Sequence, residues 1–370
     1  MSRAPSAVGL AAHLGRGVQR IATDAVFGRI RSLPRTVSQL DAETLSRIMN
    51  RRVTAVVSLG GDAGTSSRAR LALEGDDVPR TVFVKMAAET AATRLMGELG
   101  RLAATETRFY RELAPAWEGG AGVPVSYGSV FDGTTGRFVL VLEDLAADSC
   151  EFPDTLHPLD ADRAALVVEL LARLHATFWE RVPGWLYTAS GDTASLLTGR
   201  LLKTSSRRIA DRTDIAVGTG RFIDDNYRAV ARLIDEPPHT VMHGDAHPGN
   251  VYFRGDVAGL LDWQAVRRGH PSRELAYTLV TSMTPEDRRT HQRDLLDLYR
   301  QTLTACGGPQ LDRDELWHRY RQGALYAYVA ALITAGLGGM QAESIALEGL
   351  RRGVAALEDL DTVAVLQNSM

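Results

Sequence analysis

The stretch His243-Gly244-Asp245-Ala246-His247-Pro248-Gly249-Asn250 sets a carboxylate five residues before a carboxamide. A second carboxylate, Asp262, follows twelve residues after Asn250 in Gly259-Leu260-Leu261-Asp262-Trp263-Gln264. A short apolar strand precedes this polar run and two more follow it, at 251–253 and 257–261, so Asp245 and Asn250 fall in a loop and Asp262 at a strand end. Carboxylate and amide oxygens are hard ligands of the kind Mg²⁺ selects, and a carboxylate beside a hydroxyl can take its proton. The chemistry such a pattern serves is phosphoryl transfer, with Asp245 as the base and Asn250 and Asp262 as two oxygen ligands for the ion.

The elements that must hold these groups are legible in the flanking pattern. Of 42 basic residues only Lys85 and Lys203 are lysines, and Lys85 sits in the alternating run Thr81-Val82-Phe83-Val84-Lys85-Met86, which reads as a strand. A compact ammonium fits a site too tight for a guanidinium fork. Two strands precede it, 53–59 and 68–73, joined by Gly60-Gly61-Asp62-Ala63-Gly64-Thr65-Ser66-Ser67. In that loop the small residues Gly61, Gly64, Thr65 and Ser66 let backbone amides approach phosphate. It is not a Walker A loop, because no Gly-Lys-Ser/Thr follows and no helix opens there.

A capped helix starts at Ser38 or Asp41, a longer one spans 95–113 and stops before Pro115, and two more strands lie at 123–130 and 137–142. After Glu143-Asp144-Leu145 the pattern turns mostly helical, over 161–179, 198–233 and 286–305. The expected organisation is therefore α+β: an N-terminal extension at 1–37, a small antiparallel-sheet lobe with one main helix at 38–144, and a larger, mostly helical lobe at 145–370.

Composition narrows the class further. A net charge of −3 with 24% charged residues gives no electrostatic reason to expect nucleic acid or an anionic membrane as partner. Cys150 and Cys306 match no metal spacing and follow no secretory signal, which points to a reduced, cytoplasmic setting. The uncharged run from Gln322 to Gln341 is broken by Thr334, Gly336, Gly338 and Gly339 and reads as a buried helix rather than a membrane span. Near the N-terminus Arg3, Arg16, Arg20, Arg29, Arg31 and Arg35 face the single acid Asp24, the composition of a basic surface helix or a transit peptide.

The His243–Asn250 loop with its later Asp262 resembles the aminoglycoside phosphotransferase and choline kinase-like family, distant relatives of protein kinases that carry H-x-D-x-x-x-x-N. Asp-Trp-Gln at 262–264, Arg-Phe-Tyr-Arg-Glu-Leu at 108–113, Leu-Glu-Asp-Leu at 142–145, and Leu174-His175-Ala176 with Phe178-Trp179 look closest to its ecdysteroid kinase-like branch. The likeness covers roughly residues 38 to 340. It implies a two-lobed protein-kinase-like fold and an ATP- and Mg²⁺-dependent transfer of the γ-phosphate to a hydroxyl of a small molecule. By the same resemblance Lys85 would contact the nucleotide phosphates, Glu106 would hold Lys85, with Glu98 and Glu112 as alternatives, and the backbone at Glu143 and Leu145 would meet adenine. Where the family has an Asp before Leu-Ala, this chain has Glu274, which would take over that structural role with a longer arm. The absence of an Arg before Asp245 and of a long segment after Asp262 argues against a protein kinase.

Two other functions compete with this reading. A metal-dependent hydrolase would use His243 or His247, but the further Asp-x-His and Asn-His-Glu ligand clusters of metallophosphoesterases are missing. A catalytically inactive nucleotide-binding protein of the same fold would have lost Asp245, Asn250, Asp262 or Lys85, and all four are present. His175, among apolar helix residues, reads as a core histidine. Mixed charges over 183–237 advertise no polycationic acceptor, whereas Trp179, Trp185, Tyr187, Phe222, Tyr227, Tyr326 and Tyr328 would suit a bulky apolar alcohol or simply fill the core.

Overall fold

The computed structural model describes residues 5–28, 33–117, 122–339 and 341–370. Arg3, Arg29 and Arg31 lie outside the described residues. The chain forms two compact units: an N-terminal unit of residues 8–150 with 261–265, and a C-terminal unit of 151–260 and 266–370 with residues 1–7.

The N-terminal unit opens with α1 (Ala7–Phe27) and α2 (Ala42–Met49). Of the two caps expected for α2, Asp41 is the one used, accepting from Thr44 N at 2.8 Å. The strands β1 (Arg52–Ala63), β2 (Ser66–Asp76) and β3 (Thr81–Ala87) follow, then α3 (Ala91–Leu99), α4 (Leu102–Arg108), β4 (Ser126–Phe131) and β5 (Phe138–Glu143). The strands make one antiparallel sheet in the order β1-β2-β3-β5-β4. Leu71, Leu73, Val82, Val84, Met86 and Val141 bury one face against Leu45 and Met49 of α2. With a side-chain period of two, Lys85 between Val84 and Met86 must point to the opposite face.

Two expectations for this unit change in detail. The single helix over 95–113 is interrupted where Arg101 takes a left-handed φ of 56° after Gly100, and its end, Phe109–Leu113, widens into a π-helical turn. The glycine loop is narrower than the sequence suggests, because β1 and β2 pair through it as far as Ala63↔Ser67 and leave Gly64 and Thr65 as the turn. Gly61 sits inside that ladder, where an added Cβ would lie 2.2 Å from the Arg68 carbonyl oxygen.

The α1 helix is fastened by one acid. Asp24, 1% exposed, accepts from Arg137 at 2.5 and 2.6 Å and from Arg94 at 2.6 Å, with Arg35 at 3.3 Å. Arg94 also donates to the Thr135 carbonyl at 2.6 Å, so α1, α3 and the β4–β5 turn share one ionic knot. Burial opposes the Asp24 charge, but the hydrogen bonds from Arg137 and Arg94 outweigh it and hold the carboxyl down at about 2.

In the C-terminal unit α5 (Ala161–Thr177), α6 (Ser195–Ala210) and α7 (Arg221–Ile234) lead into β6 (Thr240–Met242), β7 (Val251–Arg254), β8 (Val257–Leu260) and β9 (Arg267–Gly269). Then come α8 (Pro271–Ser282), α9 (Pro285–Ala305), α10 (Arg313–Gly323), α11 (Leu325–Leu337), α12 (Glu343–Asp359) and α13 (Thr362–Ser369). The helix expected over 198–233 is two, α6 and α7, divided by a loop in which Gly220 passes so close to Tyr328 that a Cβ would fall 2.1 Å from its ring. Leu202, Ile223, Val230, Leu332 and Leu350 gather α6, α7, α11 and α12 into one core. The apolar run after Gln322 is indeed a packed helix, α11, and among the described residues no helix is long and apolar enough to cross a membrane.

Substituting Asp24→Ala strands Arg94 and Arg137, both nearly buried, and is expected to cost about 3–5 kcal/mol in urea unfolding. Because the folded carboxyl lies below its ordinary value of 3.8, its contribution is present above that range and lost as pH falls through about 2. Acid-titration stability curves of wild type and variant are expected to converge there, and curves that stay parallel would remove Asp24 as the anchor.

Candidate active site

In the N-terminal unit the Lys85 ammonium lies 2.8 Å from Glu106 Oε2 and 2.6 Å from Asp262 Oδ1. Glu98 instead pairs with Arg20 and Glu112 with Arg108, so of the three helix acids it is Glu106 that meets the lysine. Asp262 is carried there by Leu261–Ala265, and this segment is held by its tryptophan: Trp263 is fully buried and stacks on Phe109 at 3.9 Å and 4°, with Trp117 edge-on at 6.0 Å. Two motifs far apart in sequence thus become one aromatic clamp. Asp262 itself holds φ 64°, a region few non-glycine residues occupy and one where strain collects at working sites.

One buried cation shared by two carboxylates leaves the cluster with an excess negative charge. Burial works against the Lys85 charge, but Asp262 and then Glu106 overcome it and keep the ammonium above its ordinary value. Burial is also the main force on Glu106, pushing its carboxyl up to about 7 against the pull of Lys85, with the Asp262 charge adding to the rise.

In the C-terminal unit Asp245 accepts from the Tyr277 hydroxyl at 2.7 Å and from Asn250 Nδ2 at 3.3 Å. Asn250 also donates to the Asp245 carbonyl at 2.9 Å, which commits its side-chain nitrogen to the loop. The loop is braced from below. The Glu274 carboxylate accepts from the backbone N–H groups of His243 and Gly244 and contacts His175 Nε2 at 2.9 Å, while His175 Nδ1 contacts the Tyr299 hydroxyl at 2.9 Å. Glu274 therefore does fill the structural post expected of it. Burial opposes its charge, yet the His175 contact and the neighbouring histidine and amide groups hold its carboxyl below the ordinary range. His175 is the core histidine it was expected to be, and His243, fully buried, accepts from Asp245 N at 3.3 Å.

Tyr277 escaped sequence reasoning as a site residue, because α8 is buried all round and carries no periodic signal; Tyr326, one of the aromatics weighed for the acceptor, does reach the loop from α11. Tyr326 donates to the Gly244 carbonyl at 3.1 Å, packs 5.1 Å from Tyr277, and lies under the buried Arg273 guanidinium at 3.8 Å. Burial and then the Asp245 charge drive the Tyr277 phenol well above its ordinary value, so it stays a donor. Tyr227 and Tyr328, weighed as acceptor contacts, belong to the core instead. Glu143 closes β5 with its N–H on the Val125 carbonyl at 2.8 Å, and buried Leu145 opens a short 3₁₀ turn, while Arg70 grips Asp144 between them with 2.9–3.0 Å hydrogen bonds. Among the described residues no three His, Cys, Asp or Glu side chains gather as an all-protein metal cage would need.

A β-strand lysine locked to a helix glutamate within a five-stranded antiparallel sheet, alongside a mostly helical unit, is the two-lobed α+β architecture of kinase-like phosphotransferases. The chain belongs to the phosphotransferase enzyme family, whose model matches residues 62–323. Solved structures similar to it include a choline/ethanolamine kinase family protein from Mesorhizobium loti (16% identity, 85% of this chain and 92% of that one, TM-score 0.50). A choline kinase from Cryptosporidium parvum Iowa II (9% identity, 85% and 88%, TM-score 0.50) and the choline kinase LicA from Streptococcus pneumoniae (15% identity, 86% and 97%, TM-score 0.48) are similar as well. At such identities the likeness is one of fold. Among curated proteins none matches the sequence. The ecdysteroid kinase-like branch rests on the motifs alone.

Because the folded Glu106 carboxyl lies above its ordinary value of 4.5, at about 7, its proton stabilises the fold below the ordinary carboxylate range, and that stability is lost as pH rises through about 7. Glu106→Gln cannot titrate, so its melting temperature is expected to gain on wild type between about pH 5 and about pH 8. A difference that stays constant over that window would mean Glu106 is ionised throughout.

Proposed function

We propose that this phosphotransferase uses ATP and Mg²⁺ to phosphorylate a hydroxyl of a small molecule, with Asp245 as the catalytic base. The observation that carries the reading is the Lys85 ammonium held 2.6 Å from Asp262 and 2.8 Å from Glu106. The groups present suit the ligands. Lys85 has three N–H donors and spends them on two partners, which leaves donor capacity for a phosphate oxygen. The Asp262 carboxylate and the Asn250 amide oxygen are hard donors of the type Mg²⁺ takes alongside phosphate and water, and β7 and β8 run directly from Asn250 to Leu260, two residues short of Asp262.

Each residue then has one task. Lys85 binds the nucleotide phosphates as a point charge and Glu106 fixes its position. The Gly61–Ser66 hairpin turn, with Gly64 and Thr65 at its tip, presents backbone to the phosphates, and the Glu143–Leu145 backbone meets adenine. Asn250 and Asp262 hold Mg²⁺, which when bound neutralises phosphate charge. Asp245 accepts the proton of the acceptor hydroxyl as its oxygen bonds to the γ-phosphorus and the bond to the ADP oxygen breaks. Tyr277 donates to Asp245 and aims its carboxylate. The small-molecule acceptor is in keeping with the choline and ethanolamine named for similar structures.

A screen of hydroxylated compounds with labelled Mg²⁺-ATP tests this directly. Wild type is expected to be stabilised by Mg²⁺-ATP on heating and to label at least one compound, and Asp245→Asn to lose about 10²–10⁴-fold in turnover while still binding nucleotide. Full turnover by that variant would displace Asp245 as the base; stabilisation without any labelled compound would favour an inactive nucleotide-binding protein. For Tyr277→Phe turnover is expected to fall by about tenfold while the KM for ATP holds, since Asp245 loses the hydrogen bond that aims its carboxylate. Unchanged turnover would reduce Tyr277 to packing.

A further inference from the structure

Beside the helix that carries Glu106, the N-terminal unit holds a cavity of about 190 Å³ that α1 helps to wall. Glu106, Gln264 and the turn residues Thr65 and Ser66 are among its walls, whereas Lys85 and Asp262 are not, so it borders the Lys85 cluster without containing the lysine. Its polar lining is mostly cationic: His13, Arg16 and Arg20 from α1 and Arg101 from the break between α3 and α4. Two carboxylates oppose them and both are already engaged, Glu98 by Arg20 at 2.7 Å and Glu106 by Lys85 at 2.8 Å. Among the described residues Arg16 has no hydrogen-bond or ion-pair partner. The Ser66 hydroxyl at the wall is buried and also has none. Arg94, also in the wall, is tied to Asp24, and Leu102, Phe131 and Phe138 add apolar surface.

The α1 wall is fixed in place. His13 Nε2 contacts the Glu98 carbonyl at 2.8 Å, Gly17 packs where a Cβ would lie 3.1 Å from Glu98 Cβ, Arg20 donates to the Gly133 carbonyl at 3.0 Å, and Asp24 locks the far end. All of α1 precedes residue 62, where the family match begins, so this wall is supplied by the part of the chain outside that match. Arg101 adds a left-handed φ of 56° at the cavity edge, a conformation an arginine keeps only when its surroundings impose it.

A confined space with unneutralised arginine, an idle hydroxyl and an apolar floor selects an anion with a compact apolar body. A void of about 150 Å³ already accepts a benzene ring, and this one is larger. We propose that the cavity is a binding site for an organic anion, a phosphate or carboxylate on an aromatic or short acyl body, bordering the Lys85 cluster and walled in part by α1. Binding there is read without turnover, so it stands apart from the phosphotransfer reading.

Phenyl phosphate is the probe, titrated calorimetrically into the full chain with and without saturating Mg²⁺-ADP, with benzyl alcohol as the uncharged comparison. Phenyl phosphate is expected to bind equally in both conditions and at least about tenfold more tightly than benzyl alcohol. Arg16→Glu, an exposed position, is expected to weaken it by about tenfold or more with Mg²⁺-ADP binding unchanged. Gly97 lines the cavity, and an added Cβ there meets nothing within 4 Å; Gly97→Leu should therefore fold, fill the space and abolish probe binding. No binding, or binding that Mg²⁺-ADP displaces and that survives both substitutions, would overturn the site.

Discussion

The Lys85 ammonium, buried and shared between Glu106 and Asp262, is the constraint around which the N-terminal unit is arranged. A cation taken out of water is costly unless close charges and hydrogen bonds replace its hydration. Each partner comes from a different stretch of chain, so the sheet, the helix and the returning segment must all arrive correctly before the charge is compensated. The alternation of β3 turns Lys85 off the apolar face that Val84 and Met86 bury against α2. Trp263, stacked on Phe109 one turn from Glu106, ties the Asp262 segment to the same helix. Apolar burial supplies the affinity and the ion cluster supplies the register.

The C-terminal unit solves a different problem, since a loop carrying a partly exposed carboxylate needs its backbone held without crowding that group. Glu274 does this from inside, accepting two backbone N–H groups at His243 and Gly244 and being held in turn by His175 and Tyr299. Such a network is stable only when every member is satisfied, because the interior leaves no water to replace a missing partner. Asp245 itself takes hydrogen bonds from Tyr277 and Asn250, with His247 Nε2 3.8 Å from its carboxylate.

What the sequence disclosed follows from how local each signal is. Strands showed through alternation and the Asp245 loop through residue spacing, and Lys85 stood out by its rarity. The break at Gly100-Arg101 was hidden because apolar spacing continues across it, and the division of 198–233 because only contact with Tyr328 demands glycine at 220. Asp24 could not be recognised as an anchor, since Arg94 and Arg137 lie 70 and 113 residues away. Tyr277 was invisible for a related reason: in a helix buried on every side, nothing distinguishes a tyrosine facing a carboxylate from one facing leucine. Glu274 was legible only as a departure from a family pattern, and its two backbone contacts explain why a longer arm still serves.

The near-absence of lysine can also be argued from these contacts. Where this chain needs a planar, many-toothed donor it uses arginine: Arg70 on Asp144, Arg137 on Asp24, and Arg352 reaching the carbonyls of Thr281 and Thr155. A guanidinium in place of Lys85 would bring a wide fork into a space already closed by two carboxylates within 3 Å, and would lose the spherical charge that can face both and a phosphate. Lys203 makes the contrast, because its pair with Asp225 is about half exposed on both sides, where either base would serve and the gain is small. One lysine is therefore incidental and the other follows from geometry, a distinction that composition raises and only the fold decides.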